Sequence, residues 1–473
     1  MKFRNRDKDL RFLKQRFARR EPQFMVVYGR RRIGKTVLLT HWIEECLPGK
    51  HLFWTAHRTT SDVLLGGFSE AVATLTPAVK SAIRFTSWQA ALEQLFQIGS
   101  ERRVVAVIDE FPYLVESAPE IPSLMQKLWD KHKANSRLFL ILCGSHYHMM
   151  HEQFASQQKP LYGRLTENLI LEEIAPEDLS LFLPRYSAEQ IVETYGVIGG
   201  VPGYLELWDD RRPVFKNIEE RILTGNTFFS QEATLLIQDE IAEPRTYLAI
   251  LEAMGGKRCL PSELALATGI AINHMGKYLR TLVDLRLVRR ILSEDVKHRT
   301  QSRMSRYEIS DPFLRFHFQY VYPHADLVQQ KRTSRLAEIV RSSFDSYIGT
   351  TAYEQLARRR IGDLGDNNQL PFVPDYVGRA WTREVEIDVA AVGWKQRAVL
   401  LGECKWQNTR MPESALDDLV ARSAKFANFS GFKKHYALFC KAGFATSLRQ
   451  RAQKESVLLF TGGAIEPCNS HDE

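Results

Sequence analysis

Short, uninterrupted apolar runs alternate with amphipathic stretches in the first third of the chain. Residues 24–28, 104–108 and 138–143 are almost wholly apolar, as in strands that are covered on both faces. Between them, apolar residues recur at helical spacing, beginning with residues 37–43. The alternation predicts a parallel sheet with helices on both faces, extending over residues 24–170.

The pattern changes twice in the rest of the chain. Residues 172–239 have helical spacing interrupted by prolines, which predicts a helical region. Residues 246–285 have the pattern of two helices joined by a glycine turn, and residues 287–292 and 306–309 are predicted to form a hairpin after them. In the last third, two apolar strands flank a turn at Gly393. Together these elements predict an α/β multidomain protein.

The first strand leads directly into residues 29–36, a complete match to the phosphate-binding pattern G-x-x-x-x-G-K-[ST]. Glycines at these positions let backbone N–H groups surround phosphate oxygens, the lysine reaches the β and γ phosphates, and the hydroxyl ligates magnesium. A chance match is disfavoured because a strand precedes the loop and a helix follows it. We therefore expect ATP and Mg²⁺ as cofactors, with Thr36 on the metal. The residues predicted to contact the nucleotide are Gly29, Arg30, Arg31, Arg32, Ile33, Gly34, Lys35, Thr36 and Val37.

Two later strands end in polar residues that suit the same chemistry. Asp109 at the tip of the second strand is predicted to hold magnesium, and Glu110 to orient and deprotonate the attacking water. The alternative is an exposed strand end that is acidic by chance. Ser145 follows the third strand, where it could bind the γ-phosphate, although a Gly-Ser pair is equally good turn chemistry.

Taken together, GRRRIGKT, VVAVIDEF and LILCGS, with LYGR at 161–164 and GGVPGY at 199–204, resemble the predominantly archaeal and bacterial ATPases related to the STAND and AAA+ P-loop proteins. The resemblance implies that Arg164 acts as an arginine finger, and that Gly200 and Pro202 lie against the adenine in a helical lid. If Arg164 acts in trans, the active form is a homo-oligomer. The alternative is an ordinary surface arginine after a glycine turn.

The helix pair and hairpin between residues 246 and 309 have the pattern of a winged helix. The predicted DNA contacts are basic residues on the second helix and in the hairpin loop, where cationic side chains suit phosphates: Lys277, Arg280, Lys297, Arg299 and Arg303. In the family resembled here, such a module is often a rigid lever, and a basic helix face is frequently just solvated. Both alternatives stay open.

A second set of charged residues lies on the two C-terminal strands. Alternation puts Glu403 and Lys405 on one face of their strand, and Asp388 joins them there if the register is right. Mg²⁺ held by Asp388, Glu403 and the carbonyl of Cys404 would activate water for phosphodiester cleavage. Lys405 would orient that water or stabilise the pentavalent state.

The predicted register pairs Val392 with Arg397 across a four-residue turn, which puts Asp388 opposite Leu401. Glu403 is then a diagonal neighbour of Asp388. A slip of one residue would separate the two carboxylates.

This arrangement resembles the PD-(D/E)xK nuclease core, which implies catalytic roles for Asp388, Glu403 and Lys405. Families with that core often take another acid from the preceding helix, and Glu354 is the matching candidate. Ile387 stands where such nucleases often have proline. The alternatives are a solvated strand end with a surface ion pair and a degenerate nuclease fold that only binds DNA.

Composition adds mainly its charge. The net charge of +8 favours a polyanionic partner such as DNA, although scattered surface Lys and Arg give the same total. The start of the chain has no signal-peptide core, and no apolar run is long enough to span a membrane. The six cysteines form no C-x-x-C pair, which indicates neither disulfides nor zinc. We therefore expect a cytoplasmic protein without a membrane partner.

The sequence as a whole predicts an ATPase that couples nucleotide state to DNA binding and metal-dependent DNA cleavage. The alternative is a STAND-like switch whose C-terminal domain binds DNA or protein without cutting. The predicted domains are a P-loop ATPase core (1–171), a helical lid (172–243), a winged helix (244–311), a linker (312–345) and a PD-(D/E)xK nuclease-like domain (346–473).

Overall fold

The chain folds into two compact units. A computed structural model describes residues 3–46, 51–75, 84–241, 243–297 and 305–468. The first unit comprises Met1–Ile174 and Val201–Tyr204, and the second comprises Ala175–Gly200 and Leu205–Glu473. Their described parts carry separate sheets, of five strands in the first unit and of six and two strands in the second.

The five-stranded sheet of the first unit is wholly parallel, which confirms the predicted α/β architecture. Its strand order is β2-β3-β4-β1-β5. The strands are β1 (Gln23–Tyr28), β2 (His51–Thr55), β3 (Val104–Asp109), β4 (Leu138–Gly144) and β5 (Glu167–Ile170). Every residue of β1, β3 and β4 is buried, as their apolar runs predict.

Seven helices of the described part cover this sheet. They are α1 (Asp7–Ala18), α2 (Lys35–Cys46), α3 (Ser61–Ala73), α4 (Trp88–Glu101), α5 (Phe111–Ser117), α6 (Ile121–His132) and α7 (Tyr147–Ala155). Alternate residues of β1 enter two cores, with Val26 in one and Val27 in the other, because successive side chains of a strand point to opposite faces.

The region after the first sheet is helical, and its last three helices are followed by a two-stranded sheet. The α-helices of this region are α8 (Ala188–Ile198), α9 (Pro202–Leu205), α10 (Val214–Asn217), α11 (Phe228–Glu240), α12 (Arg245–Met254), α13 (Pro261–Thr268) and α14 (Ile272–Asp284). Gly269 adopts a φ of 71° between α13 and α14, as a left-handed turn after a helix requires. Strands β6 (Val288–Ile291) and β7 (Arg306–Ile309) then pair antiparallel.

The segment predicted as a linker, residues 312–345, is largely helical. It contains α15 (Pro312–Phe316), α16 (Ala325–Gln329) and most of α17 (Thr333–Ile348). All five residues of α15 are buried, because its aromatic side chains supply core rather than linker. Since α17 continues past residue 345, the predicted domain boundary there falls inside a helix. No helix of the described ranges is long and apolar enough to cross a bilayer.

The last part of the chain forms a six-stranded mixed sheet in the order β13-β12-β11-β10-β9-β8. The pairs β10–β11 and β11–β12 are parallel and the other three are antiparallel. Its elements are α18 (Glu354–Asp366), β8 (Tyr376–Trp381), β9 (Glu386–Gly393), β10 (Ala398–Lys405), α19 (Ser414–Ser423), β11 (Lys433–Cys440), α20 (Thr446–Glu455), β12 (Leu458–Thr461) and β13 (Glu466–Pro467).

The register between β9 and β10 differs by two residues from the predicted one. Val392 pairs with Val399 rather than with Arg397. Arg397 instead lies in the loop, with a left-handed φ of 47°, and the N–H of Trp394 is held by Asp375 Oδ2 at 2.8 Å. The predicted register was therefore wrong, but an even shift keeps each side chain on its predicted face.

The edge of β8 is covered by the segment that follows β6. The N–H of Glu294 donates to the carbonyl of Arg379 at 2.8 Å, and the N–H of Trp381 donates to Ser293 Oγ at 2.8 Å. Ser293 and Glu294 are both buried. Part of the loop that the sequence assigned to the hairpin is therefore docked on the C-terminal sheet.

Candidate functional sites

The phosphate-loop motif forms a tight turn between β1 and α2 that requires both of its glycines. Gly34 has a φ of 92°, which is costly for other residues. A Cβ at Gly29 would lie 2.6 Å from the carbonyl oxygen of Leu171. Ile33 is buried, whereas Val37 is 56% exposed at the start of α2. The backbone of the loop is therefore fixed by its own packing.

The lysine of the motif is buried against the loop. Lys35 Nζ donates to the carbonyl oxygens of Gly29 at 2.9 Å and of Arg30 at 3.1 Å. Only 5% of Lys35 is exposed. Its ammonium is therefore held beside the backbone that the sequence predicts to bind phosphates.

Polar side chains from three neighbouring strand ends meet beside the loop. Thr36 Oγ1 donates to Asp109 Oδ2 at 2.8 Å, and Ser145 Oγ donates to Glu110 Oε1 at 2.9 Å. The carboxyl ends of parallel strands share one edge of the sheet, which is where such folds place ligands. Hydroxyl and carboxylate oxygens are ligands that Mg²⁺ prefers, so Thr36 and Asp109 fit that ion.

Glu110 combines an unusual backbone with an unpaired oxygen. Its φ of 52° is left-handed, and α5 begins at the next residue. Such a conformation costs about 1–3 kcal/mol and persists only where the surroundings impose it. Its Oε2 is buried and accepts no hydrogen bond from the described residues. The carboxylate is therefore held by one oxygen, through Ser145, and has the other available.

The segment that contains Pro202 packs directly on the loop. The N–H of Gly203 donates to the carbonyl of Arg32 at 3.2 Å. Arg30 reaches Glu173 at 3.2 Å and the hydroxyl of Tyr204 at 2.8 Å. Sequence reasoning did not predict the Glu173 and Tyr204 contacts, because the loop pattern leaves position 30 open.

A second unpredicted contact comes from the N-terminal segment. Arg6 Nη2 donates to the carbonyl oxygen of Ile33 at 3.0 Å, and Nη1 pairs with Asp9 at 3.5 Å. Burial lowers the pKa of Arg6, and Asp9 opposes that shift. Arg6 thus supports the loop from outside its motif.

Arg164 lies near the amino ends of the strands of the first sheet, whereas the loop lies at their carboxyl ends. It precedes β5, and the N–H of Thr166 donates to the carbonyl of Phe24 at the start of β1, while the loop follows Tyr28 at the end of β1. Four residues of extended strand, about 13 Å, separate the two ends. Arg164 pairs with Asp130 at 3.1 Å and remains partly exposed. It is therefore not positioned to reach the phosphate loop of its own chain.

The C-terminal strands bring Asp388, Glu403 and Lys405 together. The ladder ends at Val389 and Gly402, and Asp388 and Glu403 are the next residues of the two strands. Lys405 Nζ lies 2.7 Å from Glu403 Oε1. Burial, with the Glu403 carboxylate second, raises the pKa of Asp388 to about 7.

The N–H of Cys404 is engaged by the same site. It donates to Asp388 Oδ2 at 3.0 Å, and Cys404 is itself buried. This bond ties the acidic end of β9 to β10. The predicted role of the Cys404 carbonyl on a metal stays a prediction.

Arg422 on α19 also binds Glu403 and was not predicted. Its Nη2 lies 2.6 Å from Glu403 Oε2, and its Nη1 donates to the carbonyl of Glu386 at 2.9 Å. The motif gives no signal for it, because Arg422 is seventeen residues beyond Lys405 in the chain.

Glu354 is buried among arginines. Its Oε2 lies 2.7 Å from Arg379, 3.4 Å from Arg358 and 4.0 Å from Arg258. Arg358 also donates to the carbonyl of Asp388 at 2.9 Å. No three His, Cys, Asp or Glu side chains among the described residues form a metal-ligand group, so Glu354 does not join Asp388 and Glu403 in one.

The predicted DNA contacts that the structure describes are exposed. Lys277 and Arg280 lie on the outer side of α14, and Lys297 follows β6. Arg299 and Arg303 lie outside the described residues.

Comparisons with known proteins place the first site in an ATPase domain. Residues 3–207 match an ATPase domain predominantly from Archaea, and residues 317–416 match archaeal and bacterial proteins of unknown function. An uncharacterized protein of Methanocaldococcus jannaschii is 30% identical over 443 residues, 93% of this chain and 95% of that protein.

Two solved structures are similar at lower identity. The Walker-type ATPase of Pyrococcus abyssi has 18% identity and a TM-score of 0.47, over 67% of this chain and 96% of that one. The ORC2 protein of Aeropyrum pernix has 14% identity and a TM-score of 0.41, over 70% and 95%.

Proposed function

This chain belongs to the same family as the M. jannaschii protein, with an N-terminal ATPase domain predominantly from Archaea, and from that premise we propose that ATP controls DNA binding and Mg²⁺-dependent DNA cleavage by its C-terminal sheet. The observation that carries the cleavage proposal is the meeting of Asp388, Glu403 and Lys405 at the ends of two paired strands. The DNA would be held by α14 and the β6–β7 hairpin.

In the proposed ATPase reaction, the loop amides and Lys35 bind the phosphates, while Thr36 and Asp109 hold Mg²⁺. The bound ion would neutralise charge on the β and γ phosphates. Glu110 accepts the proton of the attacking water through Oε2, since Ser145 occupies Oε1. The fixed carboxylate favours one orientation of the water.

The proposed finger role of Arg164 requires a second copy of the chain. Arg164 lies at the end of its own sheet that is remote from the loop, so it would complete the phosphate site of a neighbouring copy. A homo-oligomer then follows from the reaction itself.

The proposed cleavage site fits Mg²⁺, which usually binds through one or two carboxylates plus substrate phosphates. Asp388 and Glu403 would hold the ion, which would lower the pKa of a bound water and neutralise charge on the scissile phosphate. Lys405 would orient the water from its position on Glu403. Glu354 would act indirectly, because Arg358 connects it to the Asp388 backbone.

Control by ATP is supported by the course of the chain around α8. The helix belongs to the second unit, and residues 201–204, which two residues separate from its end, belong to the first. Gly203 bonds to the loop carbonyl of Arg32. A nucleotide-dependent shift of residues 201–204 would therefore pull on α8 through the chain itself.

Within the second unit, α8 packs on the segment that leads to Glu354. The hydroxyl of Tyr347 donates to the carbonyl of Gly196 at 3.2 Å, and Gln355 Nε2 donates to the hydroxyl of Tyr195 at 3.1 Å. A Cβ at Gly196 would lie 2.6 Å from Ile348. Such close packing transmits displacement.

DNA binding is supported by the order of α12–α14 followed by the antiparallel pair β6 and β7, which agrees with the predicted winged helix. Lys277, Arg280 and Lys297 are exposed cations of this segment, and Arg299 and Arg303 are proposed to join them. Replacing Lys277 and Arg280 with Ala should lower affinity for all DNA sequences and reduce its salt dependence.

The test is incubation of plasmid and linear DNA with the protein and Mg²⁺ or Mn²⁺, with and without ATP. Asp388→Ala and Lys405→Ala should each abolish cutting, whereas Lys35→Ala should remove only its dependence on ATP. Cutting that survives both Asp388→Ala and Lys405→Ala, or no cutting by the wild type under any condition, would refute the proposed nuclease activity.

A second candidate is an ATP-dependent switch whose C-terminal part binds DNA or protein without cutting. The arginines around Glu354 favour it, because they form ion pairs with an acid to which the nuclease resemblance assigns a catalytic role. Its signature would be ATP-dependent DNA binding that Asp388→Ala leaves intact, in a wild type that cuts no substrate.

A further inference from the structure

Arg422 lies at the end of α19, beside both acidic strands. With the described residues it makes three hydrogen bonds, from Nη2 to Glu403 Oε2 at 2.6 Å, from Nη1 to the Glu386 carbonyl at 2.9 Å and from Nε to the Asp418 carbonyl at 3.4 Å. A guanidinium has five N–H donors. Two N–H groups, one on each terminal nitrogen, therefore remain for a further acceptor.

Glu403 has more positive charge around it than a simple ion pair needs. Lys405 binds Oε1 at 2.7 Å, and Arg422 binds Oε2. One cation is enough to neutralise one carboxylate. The second therefore leaves positive charge beside the acids before an anionic substrate arrives.

The guanidinium is reachable from solvent, with its side chain 28% exposed. Two carboxylates beside it repel a small free anion. A phosphodiester that shares a metal ion with those carboxylates avoids this repulsion, and its oxygens suit the planar N–H fork of arginine.

We propose that Arg422 contacts a backbone phosphate of DNA bound at Asp388 and Glu403, while its other N–H groups hold Glu403 in position. The proposal rests on the proposed cleavage function and adds to it a phosphate-binding residue that lies outside the E-x-K motif. A purely structural role, in which Arg422 only fastens α19 to β9 and β10, is the competing explanation.

The experiment compares Arg422→Met and Arg422→Lys with Arg451→Met. Arg451 is a matched control because it also pairs with acids of this region, Asp417 at 2.7 Å and Glu413 at 3.4 Å, with 24% of its side chain exposed. Binding of a short duplex is measured by fluorescence anisotropy in Ca²⁺, beside cleavage in Mg²⁺ and the melting temperature.

We expect Arg422→Met to weaken duplex binding in Ca²⁺ about tenfold or more, as loss of a charged hydrogen bond predicts. Arg422→Lys should restore part of that loss, because it keeps the charge but not the fork. Arg451→Met should bind as the wild type does. If Arg422→Met does not fold, Arg422→Lys alone carries the test, with weaker binding at an unchanged melting temperature.

Wild-type duplex binding by a folded Arg422→Met protein, or an equal loss in Arg451→Met, would overturn the proposal. If the wild type binds DNA without cutting it, and Arg422→Met weakens that binding, the cleavage function fails and the phosphate contact stands. If the wild type cuts and both Arg422 variants bind and cut equally well, the contact fails and the cleavage function stands.

Discussion

The carboxylates of the two candidate sites are held by different kinds of partner. At the edge of the first sheet, neutral hydroxyls of Thr36 and Ser145 bind Asp109 and Glu110. On the C-terminal strands, Lys405 and Arg422 bind Glu403 from both sides, and arginines surround Glu354. A carboxylate bound only by a neutral hydroxyl can bind a metal ion without losing a cationic partner, whereas one bound by two cations must exchange or share a partner. Under the proposed functions, the first site would be ready for Mg²⁺ and the second would depend on substrate.

The largest effect should come from Arg164, which is not positioned to reach the phosphate loop of its own chain. Arg164→Ala should lower ATP hydrolysis about 10³-fold or more while ATP binding persists, because a finger stabilises only the transition state. Steady-state hydrolysis and equilibrium binding of a fluorescent ATP analogue measure the two.

Mixing Arg164→Ala with Lys35→Ala protein should restore part of the hydrolysis if the arginine acts in trans, because a mixed oligomer contains one intact composite site. Loss of ATP binding in Arg164→Ala alone would contradict the finger role.

Glu110→Gln should lower hydrolysis about 10²–10⁴-fold with ATP binding retained, because the amide cannot accept the proton of water. Single-turnover hydrolysis is the measurement. Glu116→Gln is the control, since Glu116 is an exposed acid on the neighbouring helix. Near-normal hydrolysis by Glu110→Gln would exclude it as the base.

Ser145→Ala tests directly whether a neutral partner matters. Removing one hydrogen bond worth about 1 kcal/mol should lower the hydrolysis rate roughly fivefold. The KM for ATP should change little if Ser145 acts only through Glu110. A large rise in KM would instead indicate that Ser145 binds the γ-phosphate.

The smallest effect concerns stability and pH at the second site. Asp388 has a pKa raised to about 7 in the folded state, so its ionisation opposes folding. That penalty is absent below its unfolded pKa near 3.9 and complete above pH 7. Asp388→Asn should therefore raise Tm by a few degrees at pH 8 and hardly at pH 4. Thermal melts at both pH values test this, and an equal shift at each would contradict it.

The parts of the first site that could be predicted from sequence are those set by local chemistry. The loop glycines, Lys35 and the acidic strand end follow from a short motif and an apolar run. The Ser145–Glu110 bond could not be predicted, because it depends on β4 lying between β1 and β3. The parallel sheet itself was predicted because its buried strands read as continuous apolar runs.

The second site was harder to predict from the sequence, since it depends on strand register and on residues that are distant in the chain. Period-two alternation put Asp388 on the right face even though the register was wrong by two residues. Arg422 and Arg379 leave no signal near the motif. The helical structure of residues 312–345 was not predicted, because prolines and short apolar runs there give no sustained helical spacing.

The covering of β8 has a consequence for how the protein can be divided and handled. An uncovered edge strand offers its N–H and C=O groups to the next molecule and promotes aggregation. Ser293 and Glu294 occupy part of that edge, although they lie far from β8 in the chain. A truncated protein that starts at residue 312 would leave the edge open and should be prone to intermolecular strand pairing. The solubility of the C-terminal sheet therefore depends on a short segment that precedes it by about eighty residues.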